Sequence, residues 1–193
     1  MLLPAGLADL DGLVSEQVGL RLAELAADVP ADMAIVELGA YKGRSTGYLA
    51  AGAQAGEGAH VWTFDAWDLP GNVSGRHGYA RRDIRSIFDQ QLAKIGLQDQ
   101  VTARRSRAVP AARDWEGPVG LLFVDASHLY EDVRADFEAW KPHVALGGVV
   151  AFDDYHTKRN PGVTRHVDEL RADPAWGGWE FTPMPLAITR RLR

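Results

Sequence analysis

The sequence predicts an α/β fold, a doubly wound and mostly parallel seven-stranded sheet that ends in an antiparallel hairpin. Short apolar runs bounded by turn-forming residues alternate along the chain with segments of helical periodicity, which is the pattern of a parallel sheet with crossover helices. The last two runs, 179–182 and 186–192, are separated by residues 183–185 alone. A parallel crossover needs about a dozen residues or more, so these two strands should pair antiparallel.

Seven apolar runs are predicted as strands, and four of them carry an acidic residue at the carboxyl end. A short run that contains β-branched residues and stops at a turn is typical of a buried strand. The segment 101–105 and the two hairpin runs supply the other strands. The four runs with an acid are 33–38, 61–64, 119–124 and 148–152, and their acids are Glu37, Asp65, Asp125 and Asp153.

Helical periodicity fills the segments between the strands. No repeat or linker interrupts this order, so residues 1–193 are predicted to form one domain, with a helical segment at 1–30 that packs on its core. Apolar residues at steps of three and four predict helices over the first 30 residues up to Pro30, over 44–55, from 84 to near 96, around 110–114, on a face marked by Val133, Phe137 and Trp140, and over 163–171.

Composition and charge exclude several classes of protein. The chain has no cysteine, which excludes disulfides, cysteine-based metal sites and thiol catalysis. Its net charge of -5 and its pI of about 5.7 argue against a nucleic-acid partner. No apolar run approaches the roughly 20 residues that cross a bilayer, and the N-terminus has no basic leader. We therefore expect a cytoplasmic protein without a membrane or nucleic-acid partner.

Functional residues are expected at the carboxyl edge of the sheet. Open α/β sheets bind ligands there, near the point where the strand order reverses. The four strand-end acids fall at this edge together with Asp154, which directly follows Asp153. The alternative is that these acids cap helices or face solvent as loop residues.

The turn after the first strand contains two glycines and two hydroxyl residues. Gly39 and Gly43 allow the backbone to turn sharply and to approach a ligand closely. Ser45 and Thr46 can cap the following helix, whose free N–H groups attract a carboxylate or a phosphate. The spacing matches neither the G-x-G-x-x-G dinucleotide fingerprint nor a phosphate-binding loop, which disfavours an NAD(P)-linked oxidoreductase.

Two later segments, LLFVDASHLYEDV and GGVVAFDDYH, bring further acids to the same edge. Asp125, Asp153 and Asp154 would supply oxygen ligands of the kind that Mg²⁺ or Mn²⁺ prefers. Three unpaired carboxylates would repel one another, so a bound cation or raised pKa values are required. His128 is a candidate general base beside them, with His156 as a weaker rival. The structural alternative is that Asp154 faces solvent and Asp153 caps the next segment.

The segment ELGAYKGRS resembles the cofactor turn of class I S-adenosylmethionine-dependent methyltransferases of the catechol O-methyltransferase type. The segment VDASHLYEDVRADFEAWKPHVALGGVVAFDDY is similar to the macrocin-type sugar O-methyltransferases. Together the resemblances cover roughly residues 33–170. They imply a Rossmann-like methyltransferase fold, S-adenosylmethionine and Mg²⁺ (or Mn²⁺) as cofactors, and a small-molecule hydroxyl acceptor.

The resemblance also implies roles for individual residues. Asp65 would hold the ribose hydroxyls of the cofactor, and Ser106 and Arg107 would contact adenine. Ser45 would meet the methionine carboxylate at the helix start, among the residues that surround the methionine part. The implied sets are Glu37, Gly39, Tyr41, Gly43, Ser45, Asp65, Ser106, Arg107 and Asp125 for the cofactor, Asp125, Asp153 and Asp154 for the metal, and His128 for catalysis.

Three positions depart from the catechol enzymes. Those enzymes have Asn where this chain has Asp154, Lys where it has His128 and an aromatic residue where it has Ser127. The extra carboxylate and the imidazole favour the sugar-modifying relatives over a flat catechol acceptor. We therefore predict a Mg²⁺-assisted O-methyltransferase that acts on a sugar or another vicinal-diol natural product. A metal-independent transferase, an NAD(P)-linked oxidoreductase and a non-catalytic cofactor-binding protein stay open as alternatives.

The core strands and helices take up almost the whole sequence, so the acceptor should be recognised by peripheral segments. The loop 66–82 is long, polar and rich in glycine, and it is either a lid over the acceptor or a disordered segment. The N-terminal helix is a second candidate for acceptor recognition. A second subunit, in a homodimer, is the third.

Overall fold

Seven strands form one mixed sheet in the computed structural model, which describes residues 2–67 and 83–193. The loop predicted at 66–82 therefore lies outside the described residues from position 68 onwards. The predicted α/β sheet is confirmed. Its strands are β1 (Ala34–Leu38), β2 (Val61–Asp65), β3 (Val101–Arg105), β4 (Val119–Val124), β5 (Val144–Asp153), β6 (Trp176–Phe181) and β7 (Leu186–Arg191).

Helices connect the strands at the places that the apolar periodicity indicates. No helix of the described residues is long and apolar enough to cross a membrane. The helices are α1 (Glu16–Ala27), α2 (Arg44–Ala55), α3 (Ile84–Lys94), α4 (Ala108–Arg113), α5 (Tyr130–Trp140) and α6 (Pro161–Leu170).

The strand order is β3-β2-β1-β4-β5-β7-β6. Strands β1 to β5 pair in parallel. Strand β7 pairs antiparallel with β6, as the short hairpin link predicts, and also with β5. The chain runs outward from β1 to β3 and then returns to place β4 on the other side of β1. The carboxyl ends of β1 and β4 therefore border the crevice in which such sheets bind ligands.

The strand side chains alternate between two apolar layers. Ile35 and Phe123 pack in the layer that contains α1 and α2. Their neighbours Val36 and Leu122 pack in the layer of α4, α5 and α6. Because helices cover both faces of the central strands, these strands are apolar at nearly every position and do not alternate with polar residues.

The N-terminal helix is shorter than the sequence predicts. Helix α1 begins at Glu16, because Ser15 caps it by accepting a hydrogen bond from the Val18 amide at 3.2 Å. Residues 2–14 form turns instead. Leu7 and Leu10 in this segment are nevertheless buried. The periodic apolar residues before Ser15 thus contact the core without forming a helix, apart from the exposed Leu13, and the helix predicted there is wrong.

The close packing of α1 on α2 depends on Gly52. A Cβ at this position would lie 2.1 Å from the carbonyl oxygen of Ala23, which belongs to the backbone of α1. Gly52→Ala should lower the free energy of unfolding by about 2 kcal/mol, although alanine favours a helix over glycine by about 1 kcal/mol. Urea unfolding measures the difference, with the exposed Gln54→Ala on the same helix as a control. Equal stability of the two variants would contradict this packing.

His166 is a buried imidazole in the second layer, packed against the rings of Phe137 and Phe152. Burial lowers its pKa from 6.5 to about 4. The imidazole therefore binds a proton more tightly in the unfolded chain than in the folded protein. Because of this difference, the free energy of unfolding should fall as the pH drops from 6.5 towards 4. We expect His166→Gln to remove about 2–3 kcal/mol of that decline. Urea unfolding across this range tests it, and parallel declines in both proteins would refute the assignment.

Candidate active site

The turn after β1 has a strained backbone. The φ angles of Gly39, Tyr41 and Gly43 are 91°, 48° and 92°, all in the left-handed region. Glycine adopts such angles without steric cost, but tyrosine does not. The amide of Gly43 closes the turn by donating to the Ala40 carbonyl oxygen at 2.8 Å. A conformation of this kind persists only when surrounding contacts stabilise it.

Asp65 at the end of β2 supplies part of that stabilisation. Its Oδ2 atom accepts hydrogen bonds from the amides of Ala40 at 2.9 Å and Tyr41 at 2.8 Å. Its Oδ1 atom accepts one from Trp67 at 2.6 Å. Burial raises the pKa of this carboxyl group, and the three amides lower it in part. Asp65 therefore holds the turn after β1, while its contact with a ribose stays a prediction.

Glu37 lies completely buried beneath the same turn. The hydroxyl of Thr46 donates to its Oε2 atom at 2.5 Å, and the Ser45 hydroxyl also faces the carboxylate. Burial raises the pKa of Glu37 to about 7, and these hydroxyls limit the rise. The prediction that Ser45 and Thr46 cap α2 is wrong, because Gly43 is the N-cap and no side chain caps the helix. The buried carboxylate takes their hydrogen bonds instead.

Gly39 brings the turn after β1 against the loop that follows β4. A Cβ at position 39 would lie 2.5 Å from the carbonyl oxygen of Asp125 and 2.7 Å from the Cα of Ala126. The Asp125 amide donates to the Leu38 carbonyl oxygen at 2.9 Å. Position 39 has no room for a side chain, and it joins the predicted cofactor residues to the predicted catalytic ones.

The residues predicted to contact adenine lie beside Asp65. The Ser106 amide donates to the Asp65 carbonyl oxygen at 3.0 Å. Ser106 is half-buried, and Arg107 is exposed at the N-cap of α4. The structure thus brings the ends of β1, β2 and β3 together, which is the arrangement that one extended ligand requires. The adenine contact itself stays a prediction.

His128 links two acids at the carboxyl ends of β4 and β5. Its Nε2 atom lies 2.9 Å from Asp154 Oδ2 and 3.5 Å from Asp125 Oδ1. Burial disfavours the imidazolium, but hydrogen bonds to the two carboxylates outweigh burial and raise the pKa of His128 to about 10. In this arrangement His128 is a cation at neutral pH. It can accept a proton only after it has lost the one it holds.

Asp153 has one carboxylate oxygen that no described donor reaches, although the Asp154 backbone amide donates to the carboxylate. Its Oδ1 atom is buried and has no hydrogen-bond partner among the described residues. Burial, followed by the charges of Asp125 and Asp154, raises its pKa well above the ordinary value. No group of three or more His, Cys, Asp or Glu residues in the described part of the chain is spaced to hold a metal ion. The triad of Asp125, Asp153 and Asp154 therefore stays a prediction.

Two residues at the start of α6 hold the cluster in place, and neither is predicted from the sequence. The Asn160 amide group donates to Asp154 Oδ2. A Cβ at Gly162 would lie 2.5 Å from the His128 carbonyl oxygen, so only glycine allows this approach. Asn160 directly before Pro161 is a recognisable helix start and could have been found. The Gly162 contact has no local signal, because it joins segments far apart in the chain.

Comparison with known proteins identifies the family. Residues 36–155 match a sequence family described as a methyltransferase domain. This match covers well over half of the chain and includes the turn after β1 and all of the acids at the sheet edge. The chain therefore belongs to this methyltransferase-domain family, and the predicted methyltransferase is confirmed.

Solved O-methyltransferases share the fold over nearly the whole chain. The enzyme from Bacillus cereus in complex with SAH has a TM-score of 0.70 at 21% identity, with 96% of this chain and 86% of that chain covered. TomG from Streptomyces achromogenes, solved with SAM, has a TM-score of 0.69 at 21% identity and coverages of 98% and 87%. CalS11, a TDP-rhamnose 3'-O-methyltransferase of calicheamicin biosynthesis, has a TM-score of 0.61 at 23% identity and coverages of 91% and 77%. The Rossmann-like methyltransferase fold is confirmed.

Two curated proteins match shorter stretches. Protein y4gI of Sinorhizobium fredii is 41% identical over 58 residues, and protein R132 of Acanthamoeba polyphaga mimivirus is 38% identical over 56 residues. The matched stretches are 30% and 28% of this chain but only 6% and 25% of those proteins.

The role of Asp65 in the turn after β1 predicts the effect of Asp65→Asn. An asparagine side chain has one acceptor atom and one donor atom, so at least one of the three backbone amides that Asp65 binds loses its partner. We expect the free energy of unfolding to fall by about 1.5–3 kcal/mol. Urea unfolding at neutral pH measures it, with Asp32→Asn at an exposed position before β1 as the control. A variant as stable as this control would show that the turn does not depend on Asp65.

Proposed function

We propose that this chain transfers the methyl group of S-adenosylmethionine to a hydroxyl oxygen of a small molecule, a sugar or another vicinal-diol natural product. Membership of the methyltransferase family supports the reaction. The observation that carries the proposal is the meeting of the strained turn after β1 with the acids after β4 and β5. The cofactor would lie over β1 to β3, and the acceptor would lie over β4 and β5. CalS11 gives a solved precedent for a sugar acceptor on this fold.

The turn after β1 suits the charged end of the cofactor. Free N–H groups at the start of α2 attract the methionine carboxylate. The buried Glu37 and the half-buried Asp125 would attract its ammonium and sulfonium charges. Asp65 uses three acceptor positions for backbone amides, and a carboxylate has about four. One position is therefore left for a ribose hydroxyl.

The chemical step is a substitution at the methyl carbon. The acceptor oxygen forms a bond to this carbon while the carbon–sulfur bond breaks, and the sulfur keeps the electron pair and leaves as a thioether. The acceptor hydroxyl gives its proton to a base, for which we propose His128 in its neutral form. Much of the rate acceleration would come from holding two reactants in line, a contribution of roughly 7–11 kcal/mol at most.

Asp125, Asp153 and Asp154 would hold Mg²⁺ or Mn²⁺. All three supply hard oxygen donors, which suit these ions. The Oδ1 atom of Asp153 is buried without a hydrogen-bond partner among the described residues, which supports a cation as its missing partner. When bound, the ion would lower the pKa of an acceptor hydroxyl.

A metal-independent transferase is the second candidate, and one observation favours it. The His128 imidazolium already supplies a positive charge between Asp125 and Asp154. The protein's own cation would then balance two of the three acids and orient the acceptor. The raised pKa of Asp153 allows this acid to stay protonated and neutral.

Binding of S-adenosylhomocysteine, measured by titration calorimetry, tests the cofactor site without a known acceptor. We expect the wild-type protein to bind it and also to bind Mn²⁺, followed by electron paramagnetic resonance. Asp153→Asn should lose Mn²⁺ and keep the cofactor product, because the substitution changes a metal ligand outside the cofactor turn. The exposed Asp99→Asn serves as the matched control and should keep both.

Each outcome decides between the candidates. Absence of S-adenosylhomocysteine binding in the wild-type protein would overturn the proposed function, and tight binding of NADH in its place would indicate an oxidoreductase. Cofactor binding without Mn²⁺ binding would leave the metal-independent transferase. Mn²⁺ binding that survives in Asp153→Asn would place the ion elsewhere.

A further inference from the structure

Three segments distant in sequence meet behind the turn after β1. They are residues 10–12 of the N-terminal segment, residues 41–44 of the turn, and Gln91 of α3. Hydrogen bonds and an ion pair connect all three. We refer to this group of contacts as the clamp.

Gln91 is the centre of the clamp. Its Oε1 atom accepts a hydrogen bond from the Asp11 amide. Its Nε2 atom donates to the Asp11 carbonyl oxygen at 2.9 Å and to the Lys42 carbonyl oxygen. One side-chain amide thus uses both of its polar atoms to join the N-terminal segment to the turn.

Charged residues of the turn strengthen the same junction. Lys42 forms an ion pair with Asp11, and its side chain is only 10% exposed. Arg44 donates from Nη1 to the Leu10 carbonyl oxygen at 2.7 Å. A Cβ at Gly12 would lie 2.3 Å from the Cβ of Arg44, so the two backbones are as close as glycine permits.

The clamp holds the half of the turn that Asp65 does not reach. Asp65 binds the amides of Ala40 and Tyr41, whereas Gln91 binds the carbonyl oxygen of Lys42 on the far side of the strained Tyr41. A residue with a φ of 48° keeps its conformation only when surrounding contacts stabilise it, and Asp65 and Gln91 contact the backbone before and after this φ. Gln91 thus supplies the hydrogen bond to the Lys42 backbone, beside the contacts of the turn's charged side chains with the N-terminal segment.

We propose that Gln91 is a positioning residue for the cofactor, and that it acts by fixing the turn after β1 through residues 10–12 and Lys42. This inference rests on the proposed function, because it assigns the turn to S-adenosylmethionine. It makes the N-terminal segment part of the cofactor site, although that segment lies outside residues 36–155 of the family match. Cofactor affinity should therefore depend on a side chain of α3.

Calorimetric titration with S-adenosylhomocysteine compares the wild-type protein with Gln91→Met, which keeps the length of the side chain but none of its hydrogen bonds. We expect the dissociation constant to rise about tenfold, the effect of losing one or two net hydrogen bonds. Gln90→Ala is the matched control. It is the exposed neighbour of Gln91, bonds within α3 to Ser86, and should bind as the wild-type protein does.

Circular dichroism at the titration temperature establishes that each variant is folded, so that a change in affinity is not a loss of folded protein. Asp11→Ala, which removes the ion pair from the opposite side, should weaken binding as well. Equal affinities of Gln91→Met, Gln90→Ala and wild-type protein would overturn the inference while the proposed function stands. A wild-type protein that binds no S-adenosylhomocysteine would overturn both.

Discussion

Five carboxylates crowd the carboxyl edge of the sheet, and their burial and mutual repulsion are what the surrounding structure has to offset. Burial raises the pKa of Glu37 and of Asp125, and neighbouring acids raise both further. The carboxyl ends of parallel strands lie at the same edge of the sheet, so acids at these ends are brought close together. The structure provides donors from separate elements: hydroxyls from α2, amides from the turn after β1, an imidazole after β4 and an amide group from α6.

These donors explain why the backbone is irregular near this edge. Tyr41, Asp154 and His156 all have positive φ angles, which non-glycine residues rarely adopt. The Tyr41 amide donates to Asp65, and Asp154 is itself one of the five acids at this edge. The Oδ1 atom of Asp153 is buried without a hydrogen-bond partner among the described residues, and either a proton or a cation would neutralise a carboxylate in that situation. The choice between the two candidate mechanisms is therefore a choice between two ways of neutralising Asp153.

The sequence predicts the central strands and α2 closely, because buried parallel strands are short, apolar and bounded by turn formers. Strand β4 and helix α2 have the predicted limits, whereas β5 begins at Val144 and not at 148, since its start lies before two glycines that the pattern treats as a turn. Apolar periodicity fails before Ser15, where burial occurs without a helix. The positions of the edge acids are predictable, but their donors are not. Gln91 and Gly162 contact residues that are distant in the sequence, and local sequence patterns do not predict such contacts.

Gly39 marks a seam between two halves of the molecule. On one side, β1 to β3 and the turns after them carry most of the residues assigned to the cofactor, and on the other, the ends of β4 and β5 carry His128 and the acids around it. The halves touch through backbone at this glycine, where a Cβ would lie 2.5 Å from the Asp125 carbonyl oxygen. This contact is made by backbone atoms, whereas the apolar layers join the two halves through side chains such as Ile35 and Phe123. A substitution that adds a Cβ at position 39 would therefore separate the turn after β1 from the loop after β4, and it would disturb the predicted cofactor residues and the predicted catalytic ones together.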